Sequence, residues 1–323
     1  MRKILFISLF LLLILGCSKG KEQTQKTQLQ KITVAQYGHL LIYYPIYLAN
    51  QKGFYEKNNL DVTFVSTGGD DKTFAAVSSK SAFFGVADPV FVAIAREKGL
   101  NAKVVGTLID GAPMWIISKE KINMESEDAL QNKRIMTYPS PSTSYTLLSE
   151  IINVLKPKTE TTAIVQGAFG TEMAIVEGNQ ADAIYTIEPV VSTAVENGYN
   201  VIFSAMNIFG KMSFTGISVL DESITQAPEI IKSFLLSVQQ AIDFLHSHFD
   251  EAVELAAQEF PETKKSIIRN ALRRMIDEKV IPDTLKTSEV SWNKAIEIRK
   301  KSGDLQTIPL LSEVVTNQFL PEK

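Results

Sequence analysis

Five carboxylates fall in segments that follow predicted strands: Asp70, Asp71, Asp88, Asp110 and Glu188. A glycine pair, Gly68-Gly69, comes just before the first of them, and a hydroxyl-rich turn carrying Ser140, Ser142, Thr143 and Ser144 lies between Asp110 and Glu188. The six loops concerned are residues 36–44, 66–71, 87–90, 138–145, 166–170 and 187–189. Neither they nor segment 110–117 contains a lysine or arginine. Carboxylates without cations accept N–H donors and repel anions. A helix N-terminus can still hold an anion, so this is a bias toward a neutral or amine-bearing ligand.

Each of these features has a purely structural use. Ser142 or Thr143 can cap the helix that follows, and one residue can both cap and bind. Asp88-Pro89 and Glu188-Pro189 have the form of an N-cap with proline at the first helical position. The glycines can bring backbone close to a ligand or simply make a turn. Tyr37, Tyr43, Tyr44, Trp115 and Phe214 lie near predicted strand ends. There they can wall a flat ligand or fill the core. Gly38 and His39 belong to the first loop and Gly167 to the fifth; His39 is either a surface residue or a contact.

Other chemistries find no support. The chain has no G-x-S-x-G nucleophile turn and no glycine-rich phosphate loop with lysine. One cysteine and three histidines exclude a disulfide framework and a thiolate zinc site. His246 and His248 fall on different faces of a helix, so no metal is expected, and no cofactor either. A net charge of −3 without a basic stripe argues against nucleic acid.

The elements that must position these loops alternate. Strands are predicted at 32–35, 61–65, 82–86, 102–108 and 114–118, with helices at 44–51, 70–78 and 89–98 between the first four. The rhythm restarts with strands at 133–137, 162–166, 183–186 and 200–203 and helices at 142–155, 171–177 and 189–196. Strands alternating with helices predict parallel α/β sheets, and two such series predict two lobes. After a strand at 214–220 the chain reads as helix: 229–248, 251–259, 262–278 and 285–302. That run is expected to pack back on the first lobe, so the chain crosses between lobes twice. The length, 323 residues, agrees with two domains.

The amino terminus is distinct. Arg2 and Lys3 precede an almost unbroken apolar run, Ile4 to Leu15, which is shorter than the ~20 residues that span a bilayer. It fits a secretory signal. Ile14-Leu15-Gly16-Cys17 resembles the lipobox of bacterial lipoproteins, which implies a lipid on Cys17. Residues 18–30, rich in Lys, Gln, Thr and Ser, are too polar to fold alone. The expected divisions are a signal at 1–16, an anchor and tether at 17–30, lobe 1 at 31–117 plus 212–323, and lobe 2 at 118–211.

Tyr47-Leu48-Ala49-x-x-Lys52-Gly53-Phe54-Tyr55 followed by Asn59-Leu60-Asp61-Val62 resembles the opening of solute-binding proteins for ABC importers. The branch is the one for nitrate, sulfonates, taurine and thiamine-pyrimidine precursors. Phe84 to Pro89, Leu130-x-x-Lys133-Arg134-Ile135, Tyr138 to Ser144, Gly178-x-x-Ala181-Asp182-Ala183 and Ile187-Glu188-Pro189 match in order. The resemblance implies a type II periplasmic-binding fold that closes on a small molecule by hinge motion. It also implies partners: a membrane permease and its ATPase, with the lipid holding a monomeric binder outside the cytoplasm. The same fold includes a pyrimidine synthase that consumes its own histidine; the corresponding place here is Tyr43. The absence of cations then favours a pyrimidine-like ligand over a sulfonate, taurine or nitrate. The expected contacts are Gly38, His39, Tyr43, Tyr44, Gly68, Gly69, Asp70, Asp88, Trp115 and Phe214 from lobe 1. Lobe 2 is expected to add Ser140, Ser142, Thr143, Ser144, Gly167 and Glu188.

Overall fold

The computed structural model describes residues 28–126, 129–140, 142–155 and 162–322. The predicted signal, Cys17 and most of the tether lie outside the described residues. The strands run in chain order as β1 (Gln30–Gln36), β2 (Leu60–Ser66), β3 (Phe84–Ala87), β4 (Ala102–Asp110) and β5 (Trp115–Ser118). They continue as β6 (Arg134–Thr137), β7 (Ala163–Gln166), β8 (Ala183–Thr186), β9 (Asn200–Ser204) and β10 (Ser213–Leu220). Helices of the two lobes are α1 (Tyr44–Gln51), α2 (Phe54–Lys57), α3 (Asp70–Ser78), α4 (Val90–Glu97), α5 (Thr143–Val154), α6 (Glu172–Glu177), α7 (Val190–Glu196) and α8 (Met206–Phe209). The carboxy-terminal helices are α9 (Asp221–Gln226), α10 (Pro228–Ser247), α11 (Phe249–Glu259), α12 (Lys265–Asp277), α13 (Glu289–Lys301) and α14 (Leu311–Val314).

Two five-stranded sheets result, ordered β2-β1-β3-β10-β4 and β7-β6-β8-β5-β9. The sheets are not wholly parallel, as the sequence pattern suggested. β10 runs antiparallel to β3 and β4, and β5 antiparallel to β8 and β9. The cause is topological. β4 ends at the cleft and the chain enters the second sheet there, so β5 must run back down it. β9 and β10 repeat this in the other direction. Each lobe thus contains one strand reached from the other.

The inner strands read as buried apolar runs because both faces are covered. β3, with sequence FGVA, is buried along its whole length. Helix α10 presents Ile231, Phe234, Leu235, Val238, Ile242 and Leu245 as one stripe against the first sheet. Phe234 stacks on Phe84 at 4.2 Å and on Tyr55 at 5.3 Å between ring centroids. Helix α1 stops at Gly53, whose left-handed φ of 65° turns the chain into α2.

The carboxy-terminal helices pack on the first lobe and also go further. α10 and α11 lie on α1, while α12 lies between α11 and α7, and α13 lies against α4, β10 and α5. Two helices therefore touch the second lobe. No helix among the described residues is long and apolar enough to cross a membrane.

Gly216 in β10 leaves no room for a side chain. A Cβ there would lie 2.6 Å from Pro89 Cβ and 3.2 Å from a Val104 methyl. Pro89 directly follows Asp88, so this close approach also fixes one wall of the cleft. Gly216→Ala should lower stability by about 1–3 kcal/mol, read from the urea midpoint. An unchanged midpoint would show that β10 can move aside.

Candidate ligand-binding site

The loops after β1, β2 and β3 face those after β6, β7 and β8 across a cleft, the place where open α/β sheets bind ligands. The pocket between them holds about 540 Å³ of empty space, its open mouth included. Tyr37, Tyr43, Asp70, Asp88 and Phe214 line it from the first lobe. Tyr138, Ser142, Thr143, Ser144 and Phe169 line it from the second.

Asp88 is fully engaged. Its Oδ1 accepts the Val90 N–H at 2.9 Å at the start of α4, where Pro89 rather than Asp88 is the N-cap residue. Its Oδ2 accepts the Thr143 hydroxyl at 2.6 Å and an Arg299 Nη2 hydrogen at 2.7 Å. Arg299 comes from α13, is 3% exposed, and also reaches Asp304 at 2.9 Å. The cation that the cleft loops lack is therefore brought in from the far end of the chain.

Asp70 is different. Its Oδ1 accepts the Asp88 backbone N–H at 3.1 Å, and among the described residues it forms no ion pair, the Arg299 charge acting on it only from beyond Asp88. Burial, and then the nearby Asp88 charge, push its carboxyl up to about 7. Near neutral pH it is poised between accepting and donating a hydrogen bond. No lysine, arginine or histidine is among the described residues lining the pocket.

The hydroxyl turn does two jobs. Ser142 Oγ caps α5 by accepting the Tyr145 N–H at 3.3 Å, and it lies 2.9 Å from Ser144 Oγ. Tyr138 donates its hydroxyl to Glu172 at 2.8 Å and lies 2.6 Å from Thr186 Oγ1, which fixes its ring in the wall.

Of the residues singled out from the sequence, the structure brings Tyr37, Tyr43, Asp70, Asp88, Ser142, Thr143, Ser144 and Phe214 together. The others lie elsewhere. His39 is on the surface, 2.9 Å from Glu259 and stacked on Phe260. Tyr44 turns into the α1–α11 seam and donates to the Ala252 carbonyl at 2.6 Å. Trp115 is core, with its indole N–H donated to Glu278 at 2.9 Å. Glu188 is completely buried, accepting the Ser192 N–H and hydroxyl at 2.9 and 2.8 Å and Arg274 Nε at 2.8 Å. Gly38 gives its carbonyl to the Tyr47 hydroxyl at 3.4 Å, and Ser140 gives its N–H to Gln166 at 2.9 Å. Gly68 and Gly69 shape the turn into α3; a Cβ on Gly69 would lie 2.6 Å from Asp71. A Cβ on Gly167 would collide with Ile175, so that glycine serves packing.

The sequence reading missed Tyr138, Phe169, Ile42, Met114 and Ile187 as wall residues, and both arginines. Tyr138 opens the hydroxyl turn and was within reach of the same argument. The arginines gave no local signal.

The family model described as NMT1/THI5 like matches residues 43–252. The chain belongs to that family. It is 24% identical to the riboflavin-binding protein RibY of Chloroflexus aurantiacus, over 97% of this chain and 96% of that one. It is 22% identical to the 4-amino-5-hydroxymethyl-2-methylpyrimidine phosphate synthase of Legionella pneumophila, over 86% and 88%. Its fold matches that of the periplasmic aliphatic sulphonate binding protein SsuA from Escherichia coli. That match has a TM-score of 0.68 at 15% identity and covers 87% of this chain and 89% of that one. The NMT1/THI5-like chain thus has the two-lobed periplasmic-binding fold.

The raised Asp70 carboxyl has a sign that can be measured. An acid held above its unfolded value of 3.8 costs stability progressively from pH 3.8 to about 7, and the full penalty applies above that. Asp70→Asn removes the penalty. Its melting temperature should exceed that of the unaltered protein at pH 8 and match it at pH 4. Equal curves at both pH values would place Asp70 in water.

Proposed function

We propose that this chain is the extracytoplasmic solute-binding component of an ABC importer. It is held to a membrane by a lipid on Cys17 and works as a monomer. The lobe built on β1–β4 and β10 and the lobe built on β5–β9 close on a small nitrogen-containing aromatic ligand and deliver it to a permease and ATPase. The observation that carries the ligand class is Asp70. Among the described residues it is the pocket-lining carboxyl that forms no ion pair, Arg299 being held by Asp88.

A ring amine or N–H has an acceptor in the Asp70 carboxylate, and Tyr37, Tyr43, Phe169 and Phe214 offer aromatic surface for the ring. A nitrate or sulfonate would find no lysine, arginine or histidine among the described residues lining the pocket. The relative named for riboflavin binding supports a flat nitrogenous ring. A second reading, a sulfonate or taurine, is favoured by one feature: the N-terminus of α5 with Ser142, Thr143 and Ser144. An enzyme reading draws on the synthase relative. Tyr43 stands where that type of enzyme has the histidine it consumes, which weighs against it.

Closure supplies the selectivity. The first lobe offers Tyr37, Tyr43, Asp70 and Phe214; the second adds Tyr138, Ser144 and Phe169. Contacts formed with both lobes exist only when the cleft is shut, so ligand shifts the population toward that form.

Calorimetric titration with 4-aminopyrimidine, riboflavin and an alkanesulfonate tests the class. One of the nitrogen heterocycles should bind, with the binding weakened about 10- to 100-fold by Asp70→Ala. Tight sulfonate binding with no response to either heterocycle would overturn the assignment. Mass spectrometry of the heterocycle after incubation should return it unchanged.

A further inference from the structure

The second lobe is gripped from two sides by helices that belong to the first. α12 is fixed to the first lobe at both ends. Arg269 and Lys265 pair with Asp250 and Glu254 of α11 at 2.6 and 3.0 Å. Beyond its other end, the Val280 and Leu285 carbonyls accept the Asp110 and Thr107 N–H groups of β4 at 3.0 and 2.7 Å. Its opposite face meets the second lobe. Arg274 Nε reaches Glu188 at 2.8 Å, Lys264 reaches Glu196 at 3.1 Å, and Glu278 accepts from Trp115 and from Ser204, the latter at 2.7 Å.

α13 grips the other side. It rests on β10 and α4, while Arg299 accompanies Asp88 and Nη2 also reaches Thr143 Oγ1 at 2.7 Å. Lys301 pairs with Glu150 of α5. Both seams border open grooves. A groove of about 850 Å³, the open solvent at its mouth included, follows α12–α7, lined by Ser192, Asn270, Arg273 and Asp277 among others. One of about 700 Å³, likewise counting open solvent, follows α13–α5, lined by Tyr145, Ser149, Asn153 and Ser302 among others. Interiors of lobes are close-packed, whereas separable faces are wet and held by directional bonds.

We propose that α12 and α13 form a two-armed clasp in which Arg274–Glu188 and Arg299–Thr143 hold the lobes shut through protein groups alone. The clasp rests on the closing motion proposed above and is independent of which ligand fills the cleft. It assigns Glu188 a role as a latch in place of ligand contact. It also makes the apparent affinity for any ligand depend on how much closed protein is already present.

Cys17 is the sole cysteine, so Cys17→Ser gives a background free of thiols. In the full chain, Lys72→Cys and Ala168→Cys place spin labels on exposed residues of opposite lobes, next to Asp70 and Phe169 of the pocket. With no solute added, pulsed dipolar spectroscopy should show one dominant short distance. Adding Thr143→Val with Glu188→Gln and Arg274→Gln should raise the ratio of long to short distances about tenfold or more, while the circular dichroism spectrum and cooperative melting remain. Thr143→Val alone leaves both ion pairs and should shift the ratio a few-fold, which keeps the test open should the triple variant not fold. An unchanged distribution in these variants, or a dominant long distance before they are made, would overturn the clasp. Neither result bears on the heterocycle titration, so the two proposals fail separately.

Discussion

Asp88 carries a charge into the wall of a pocket, and the surrounding structure is arranged around making that tolerable. A buried carboxylate is costly unless it is paired and hydrogen-bonded. Here the pairing comes from three directions: the α4 backbone, the Thr143 hydroxyl of the second lobe, and Arg299 of the carboxy-terminal helix. One residue thereby ties together β3, α5 and α13. It also decides what the cleft offers a ligand, because with Asp88 occupied the unshared carboxyl is Asp70. The same carboxyl is pushed toward neutrality by burial and by Asp88 itself.

The exchange of strands gives this arrangement its geometry. β10 fills the first sheet from the second-lobe side and β5 does the reverse, so both crossovers lie beside the cleft. Asp110 at the end of β4 and Lys211 before β10 face each other at 3.7 Å across these crossovers. The closing motion proposed above thus turns on two short segments. The carboxy-terminal helices lie outside them, where a small rotation becomes a large displacement. Interactions in those outer seams therefore have leverage on closure that similar surface pairs would not have.

Much of the fold was legible because the elements are long and strongly patterned. The boundaries of α1, α3 and β8 follow directly from apolar runs and the turn residues beside them. The one-turn helices α2, α8 and α14 were not legible, since four residues leave no periodicity to read. Strand direction was lost for a different reason: it depends on where the chain re-enters a sheet, which β5 and β10 do not encode locally. In the site, adjacent tyrosines show the limit. Tyr43 faces the pocket and Tyr44 the core, because consecutive helical residues differ by roughly 100° in direction, and neither residue type reveals which is which. Asp88 and Glu188 share an acid-proline form, yet one lines the pocket and the other is sealed behind α7. Their arginine partners were invisible in the loops, Arg299 being 211 residues from Asp88. A charge census of neighbouring loops cannot see a counter-charge delivered by tertiary packing.

The central claim is that Asp88 and Arg299 neutralise each other inside the protein and so leave Asp70 to the ligand. A double-mutant cycle in urea unfolding, with Asp88→Asn, Arg299→Gln and the pair, measures this directly. Each single change should cost about 3 kcal/mol or more, because it strands a buried partner. The double variant should cost clearly less than their sum, with a coupling of about 1.5 kcal/mol or more. Costs that add within ~0.5 kcal/mol would show the two groups to be energetically independent and would contradict the account.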